Sequence, residues 1–143
     1  MALRRLSRGQ GIPAAYGGMH AAYEKGSGEL SEVFIAFFIK HFVCDFPLQW
    51  AYQYKNKGTY GHPGGILHAG IHGAGTAIVC MMFGLPLWLA LVDAVVHYHI
   101  DWAKMRLNAH WKLKSDNSEY FWWLLGFDQL LHYLTYGALL SWA

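Results

Sequence analysis

The chain has 143 residues, which is enough for one domain but not for two. Hydrophobic residues make up 55% of the chain and charged residues only 14%, whereas an average soluble domain has about 25% charged residues. The formal net charge is only +2 and no basic stripe is present, so the composition excludes nucleic acid as a partner and favours a lipid bilayer.

The first 28 residues are rich in Gly, Ala and basic or small polar residues. Arg4, Arg5 and Arg8 are not followed by an apolar run, so this segment is neither a secretory signal nor a twin-arginine signal. We predict an N-terminal tail outside the membrane over residues 1–28, with a short helical piece around residues 14–25.

Residues 29–143 are predicted to form a separate domain of four apolar helices. The predicted helices cover residues 30–54, 66–83, 86–108 and 118–142. Pro47 predicts a kink or an end near the close of the first helix. In the second helix, Gly70, Gly73 and Gly75 would allow close approach between helix backbones.

The lengths of these helices match the thickness of a bilayer. The sequence therefore predicts an all-α fold, a four-helix transmembrane bundle. A soluble four-helix bundle is the alternative, but the 17% aromatic residues and the scarce charge argue against it. Lys and Arg near the predicted spans concentrate in the two long loops, which predicts a multi-pass inner-membrane protein with those loops in the cytoplasm.

Each predicted helix carries two metal-ligating side chains four residues apart. The pairs are His41/Asp45, His68/His72, His97/Asp101 and Asp128/His132. Residues at this spacing share one helix face, and ionisable groups in apolar helices usually face a bundle interior. In an up-and-down bundle all four pairs fall in the half near the long loops, so we expect them to meet in one site.

Imidazole and carboxylate groups together suit a divalent metal, with zinc favoured and manganese or iron as alternatives. The expected ligands are His41, Asp45, His68, His72, His97, Asp101, Asp128 and His132. This set exceeds what one ion requires, so either two ions bind or some aspartates orient the ligands. A zinc site with an open position would activate water, and Asp45, Asp101 or Asp128 would be the catalytic base. Asp93, one turn before His97, is expected to orient a ligand.

Other polar residues are assigned to supporting roles. Gln49, Gln53, Thr76, Gln129 and Tyr136 could extend the polar helix faces. Gln49, Thr76 and Tyr136 lie in helical register with the paired residues, so they are expected to bind substrate, to support ligands or to form packing hydrogen bonds. His62 lies in the first long loop and could cover the site. Lys40 neighbours His41 but faces elsewhere, so its ammonium group is expected to extend towards water.

At these residues the chain resembles a family of bacterial and phage integral membrane proteins, domain of unknown function 3307. The matching segments are His41-Phe-Val-Cys-Asp45, His68-Ala-Gly-Ile-His72, Asp93-Ala-Val-Val-His97 with Asp101, and Asp128-Gln-Leu-Leu-His132. The resemblance covers about residues 30–140 and implies a membrane protein, but it implies no activity.

The repeated His-x-x-x-Asp motif is also distantly similar to membrane-bound metal-dependent hydrolases of bacterial inner membranes. That similarity implies a hydrolase, although the chain lacks the His-Arg-Gly-x-Thr-His-Ser segment of those enzymes.

Two function hypotheses follow. The first is an integral membrane metal-binding protein that acts as a metal-dependent hydrolase. The alternative is a non-enzymatic subunit of a membrane complex, or a homo-oligomer that conducts protons or ions through a polar His/Asp core. A haem protein is a third reading, which the aspartates beside the histidines disfavour.

Overall fold

The computed structural model describes the backbone of residues 14–143 and the side chains from residue 26 onward, except that of Ser27. The predicted arginine-rich start of the tail, with Arg4, Arg5 and Arg8, lies outside the described residues. Within residues 14–143 the fold is all-α with no strand, and its helices are α1 Ala14–Asp45, α2 Ala51–Asn56, α3 Pro63–Phe83, α4 Trp88–His110 and α5 Glu119–Ser141. The predicted all-α class is confirmed.

The predicted count of four helices is wrong, because the first predicted helix is two. α1 ends at Asp45, and residues 46–48 form a turn before the short helix α2 begins at Ala51. Pro47 accounts for the break, since its ring disfavours helical geometry at the preceding residue. At its other end α1 begins at Ala14 and continues through the predicted boundary at residues 28 and 29.

The chain divides into two compact units, residues 1–32 and 33–143. The site described below lies wholly within the second unit. The predicted tail over residues 1–28 and domain over residues 29–143 stay predictions.

The second unit has an apolar core at one end. It consists of Val33, Phe37, Val79, Cys80, Leu89, Tyr136 and Leu139. Val33 and Phe37 come from α1, and the other core residues come from the end of α3, the beginning of α4 and the end of α5. Thus α4 runs antiparallel to α3 and α5. Phe37 of α1 stacks on Tyr136 with ring centroids 4.9 Å apart. The other end of the same four helices is left for polar side chains.

By length and composition, one helix of the described part of the chain, Pro63–Phe83, is apolar enough to cross a membrane. A helix in the core of a soluble protein can have the same length and composition. The predicted four-span bundle is therefore not supported by span composition. Charged residues lower the mean hydropathy of a helix whether they face the interior or the surface. α4, for example, carries Asp93, Asp101, Lys104 and Arg106.

Gly73 brings α3 close to α4. A Cβ atom at residue 73 would lie 3.0 Å from the Cβ atom of Ala94 and 3.2 Å from the carbonyl oxygen of Ala90. Gly70, one turn earlier on the same helix, has no atom within 4 Å of that position. Close packing of these two helices thus depends on the missing side chain at residue 73.

We predict that Gly73→Ala lowers stability by about 1–3 kcal/mol, because the added methyl group must push α3 away from α4. Gly70→Ala is the matched control, and it should be neutral or stabilising by up to about 1 kcal/mol through helix propensity. Thermal unfolding followed by circular dichroism measures both. Equal melting temperatures for the two variants would show that the close approach of α3 to α4 at Gly73 does not contribute to stability.

Candidate metal centre

The structure brings all eight predicted ligands into one buried cluster. α1 contributes His41 and Asp45, α3 contributes His68 and His72, α4 contributes His97 and Asp101, and α5 contributes Asp128 and His132. The side chain of Asp45 is 10% exposed, and the other seven are less than 5% exposed. The spacing of four residues places each pair on one helix face, and that face is the one that points inward.

The tightest part of the cluster surrounds His68. Its Nε2 atom lies 3.2 Å from Asp45 Oδ1, 3.1 Å from Asp101 Oδ2 and 3.2 Å from His97 Nε2. His97 Nε2 is 3.3 Å from the same oxygen of Asp101. Ligand atoms about 3.3 Å apart are expected when a tetrahedral zinc ion has bonds of 2.0–2.1 Å. Each of these four distances is thus one that two ligands of a single zinc ion would have.

Three sets of residues have ligand atoms within 4.8 Å of one another. The sets are Asp45/His68/His72/His97, His41/His97/His132 and Asp101/Asp128/His132. His97 belongs to the first and second sets, and His132 belongs to the second and third. The rings of His97 and His132 also stack with centroids 4.1 Å apart. The cluster is therefore continuous, and it could hold a metal ion in more than one place.

Several polar atoms of the cluster are buried without a hydrogen-bond partner. They are His97 Nδ1, Asp101 Oδ2, Asp128 Oδ1 and His132 Nε2. An unsatisfied buried polar group costs about 1–3 kcal/mol, and more if it is charged. Asp101, Asp128 and His132 form one of the three sets above, so a cation held there could give these side chains a partner, and the residues present fit a divalent metal.

Two glutamines at the edge of the cluster form hydrogen bonds with its side chains. Gln53 of α2 places Oε1 3.3 Å from His68 Nδ1. Gln129 of α5 donates its amide to Asp45 Oδ2 at 3.4 Å and to Asp128 Oδ2 at 3.3 Å. Partners of this kind fix the orientation of metal-binding side chains.

Lys40 does not extend towards water as the sequence predicts. The residue is only 7% exposed, and its ammonium group donates to Asp93 Oδ2 at 2.6 Å. Gly75 on α3 makes room for the lysine stem, because a Cβ there would lie 2.9 Å from Lys40 Cγ. Thr76 donates to the same oxygen of Asp93 at 2.6 Å. Asp93, predicted to orient a ligand, is thus the counter-ion of Lys40.

A second lysine, Lys57, follows α2 and donates to Asp101 Oδ1 at 2.9 Å. Burial disfavours the charged ammonium group, but attraction to Asp101 and then Asp45 outweighs it, so the pKa of Lys57 lies above its usual range. Its contact holds Asp101 as a carboxylate and leaves the other oxygen, Oδ2, facing His68 and His97.

The remaining histidines with described side chains lie outside the cluster. His62 does not cover the site, because its ring accepts a hydrogen bond from the Gly64 amide and caps α3. His99 is exposed and contacts the Tyr60 hydroxyl at 3.1 Å. His110 is exposed in the last turn of α4. The side chain of His20 lies outside the described part of the chain.

A cavity of about 720 Å³ leads to the cluster from the end of the bundle where α2 lies. Asp45, Asp128 and Gln129 form its inner wall, and Lys57 and Lys104 also line it. Lys104 Nζ is 4.0 Å from Asp128 Oδ2. A small molecule can therefore reach two of the three aspartates predicted to act as a base.

Comparison with known proteins gives one match. A family profile described as "Protein of unknown function (DUF3307)" matches residues 33–141. No curated protein and no solved structure gives a significant match to the chain. The matched region contains all eight clustered residues.

The buried pair of Lys40 and Asp93 yields a stability prediction. Lys40→Met leaves a buried carboxylate without its counter-charge, and we expect a loss of about 3–5 kcal/mol. The double variant Lys40→Met with Asp93→Asn removes both charges and should recover most of this loss. Lys55→Met, at an exposed lysine, is the matched control. Thermal unfolding measures all three, and a Lys40→Met melting temperature equal to that of the control would contradict the prediction.

Proposed function

The chain belongs to the DUF3307 family, and we propose that it is a membrane-embedded metalloprotein that acts as a metal-dependent hydrolase. One observation supports this most strongly. Imidazole nitrogens and carboxylate oxygens from four helices meet in a buried cluster, and several of them have no hydrogen-bond partner. A divalent cation is the simplest group that satisfies such a set.

The donor set favours zinc, with manganese or iron as alternatives, because it consists of imidazole and carboxylate without thiolate. Cys44 is buried next to Asp45 in sequence, but its thiol contacts the Ile71 carbonyl oxygen at 3.7 Å. The three overlapping sets have room for two ions. The composition of the cluster is compatible with two bound ions. It is equally compatible with one ion whose ligands are oriented by the remaining aspartates.

Hydrolysis is supported by the cavity. A bound zinc ion with an open coordination position supplies a water nucleophile at neutral pH. Among the three candidate bases, Asp128 lines the cavity and has an oxygen without a partner, so it best suits proton removal from water. Asp101 is held by Lys57, and Asp45 contacts three histidine rings.

The lining of the cavity suggests the class of substrate. Lys57, Lys104 and Lys114 bring positive charge to the lining, and Phe46 and Leu125 provide apolar wall. Asp45, Asp116 and Asp128 bring negative charge, which a metal ion at the cluster would offset in part. This combination suits an anionic ester with an apolar portion, such as a phosphate ester of an amphiphile.

The membrane placement is supported by the distribution of side chains. Lysines, histidines and aspartates are buried inside the second unit, whereas large apolar side chains point outward. Leu91 is 70% exposed, Met82 is 68% exposed and Trp123 is 75% exposed. Soluble proteins rarely expose apolar surface of this extent, but a lipid environment favours it. We propose that α1, α3, α4 and α5 span the inner membrane, with α2 and the long loops on the cytoplasmic side.

A second candidate function is a proton path in a non-enzymatic oligomer or membrane complex. Lys40 Nζ, Tyr136 Oη and His41 Nδ1 form a chain with separations of 3.4 and 2.8 Å. His41 Nε2 then lies 3.0 Å from Asp45 Oδ2. Chains of histidine, aspartate and tyrosine are suited to proton transfer inside a membrane. Proton flux in liposomes without bound metal would favour this function.

For the hydrolase, we predict that protein purified in detergent without chelators contains at least about one zinc ion per chain, as the four donor atoms around His68 require. His97→Gln should lose the ion, while His110→Gln, the same change outside the cluster, should retain it. Inductively coupled plasma mass spectrometry measures the content. Less than half an equivalent of any transition metal in the wild type would reject the metal site.

The same preparations test the reaction on a phosphate ester of an amphiphile in micelles. Chelation should abolish hydrolysis, and Asp128→Asn should lower the rate by about 10²–10⁴-fold, the usual contribution of a general base. Full zinc content without any zinc-dependent turnover would reject this substrate class.

The membrane placement predicts that the chain resists extraction with alkaline carbonate. Apolar side chains on the outer faces of four helices would have to enter water for the protein to leave the bilayer. Immunoblotting of pellet and supernatant after ultracentrifugation measures this. Recovery of the folded protein in the carbonate supernatant, or from cells broken without detergent, would contradict the placement.

A further inference from the structure

We infer that the clustered histidines have two different roles, and that Lys40 sets the difference. Asp45, His68, His97 and Asp101 hold the metal ion. His41 and His72 are not ligands, because their Nε2 atoms carry protons that they donate to Asp45. This assignment deepens the proposed metal site and rests on it.

The charge on Lys40 determines which atoms donate and which accept in the hydrogen bonds around it. Asp93 Oδ2 receives two short contacts of 2.6 Å, one from Lys40 Nζ and one from Thr76 Oγ1. A carboxylate that accepts both is charged, and its partner Lys40 is then an ammonium group. An ammonium group has three protons to donate and no lone pair to accept with. Every other polar contact of Lys40 Nζ is therefore a donation.

His72 lies between a donor and an acceptor. Its Nδ1 is 3.3 Å from Lys40 Nζ, so Nδ1 must be the bare nitrogen that accepts. The ring proton then sits on Nε2, which faces Asp45 Oδ1 at 3.2 Å. A nitrogen that carries a proton has no lone pair for a metal. His72 is thus a donor to Asp45, although its position alone would allow it to be a ligand.

Tyr136 determines in the same way which ring nitrogen of His41 carries the proton. The Tyr136 hydroxyl accepts from Lys40 at 3.4 Å and has one proton, which it donates to His41 Nδ1 at 2.8 Å. The proton of His41 therefore sits on Nε2. The neighbours of that atom agree, because Gln129 Oε1 and Asp45 Oδ2, each 3.0 Å away, are both acceptors. Asp45 is thus held at both oxygens by imidazole N–H groups.

His68 has the opposite arrangement. Its Nδ1 faces Gln53 Oε1 at 3.3 Å, so Nδ1 donates and Nε2 is bare. That bare nitrogen is directed at Asp45 Oδ1 and at Asp101 Oδ2, whose buried oxygen has no hydrogen-bond partner. A proton or a metal ion between that nitrogen and the two oxygens would relieve the repulsion between their lone pairs. With Zn²⁺ in that place, the ion lies between His68, Asp45 and Asp101, and His97 Nε2, 3.2 Å from His68 Nε2, is its fourth ligand.

A matched pair of substitutions on α3 tests this assignment. Both His68→Gln and His72→Gln exchange a ring for an amide, but the amide at residue 72 can still donate a proton to Asp45. We expect zinc affinity to fall by at least about 100-fold in His68→Gln and by about tenfold or less in His72→Gln. Competition of each folded variant with a fluorescent zinc chelator measures the affinities.

The outcomes separate this inference from the proposed function. If the wild type binds zinc and both variants lose it equally, His72 is a ligand and the inference is wrong while the metal site stands. If the wild type binds no zinc, the metal site itself fails.

Proton positions are read independently of the metal by long-range ¹H–¹⁵N correlation spectra of histidine-labelled protein. We expect His41 and His72 to carry the proton on Nε2, and His68 to carry it on Nδ1. Addition of Zn²⁺ should shift the Nε2 resonances of His68 and His97 far more than those of His41 and His72. In Lys40→Met with Asp93→Asn, His72 should lose its fixed tautomer. A His72 proton on Nδ1 in the wild type, or an unchanged tautomer in that double variant, would overturn the role of Lys40.

Discussion

The second unit of this protein depends on the burial of one polar face from each of four helices. Three of the faces carry a histidine and an aspartate, and that of α3 carries two histidines. The desolvation of these buried side chains is unfavourable unless another group replaces water. The side chains replace it for one another at distances of 3.0–3.2 Å around Asp45 and His68. Atoms that remain without hydrogen-bond partners are available to a cation, which the cluster could hold.

Charge in the interior is arranged in two levels along the bundle. Nearer the apolar core, Lys40 forms an ion pair with Asp93 and also donates hydrogen bonds to His72 and Tyr136. Nearer the cavity, Asp45 and Asp101 face the bare nitrogen of His68. In the proposed site, the first level sets where the ring protons sit, and the second level would bind the metal and meet the substrate.

The residues of the cluster could be predicted from the sequence because a single rule identifies them. Residues four apart share a helix face, and four such pairs in four apolar segments have to meet. The same rule named Gln53 only as a side chain that could extend a polar face, and its prediction for Lys40 was wrong. Lys40 reaches the interior only because Gly75 on a different helix leaves space for its stem. Gln53 reaches His68 because Pro47 turns the chain and starts a new helix, α2. Such contacts depend on tertiary packing between segments, which spacing along one helix does not encode.

The central claim is that two imidazoles and two carboxylates hold one ion. X-ray absorption at the zinc K edge measures this directly on the zinc-loaded protein. We predict only nitrogen and oxygen ligands at about 2.0–2.1 Å, with scattering from two imidazole rings. A sulfur ligand at about 2.3 Å, or scattering from four imidazole rings, would contradict the account.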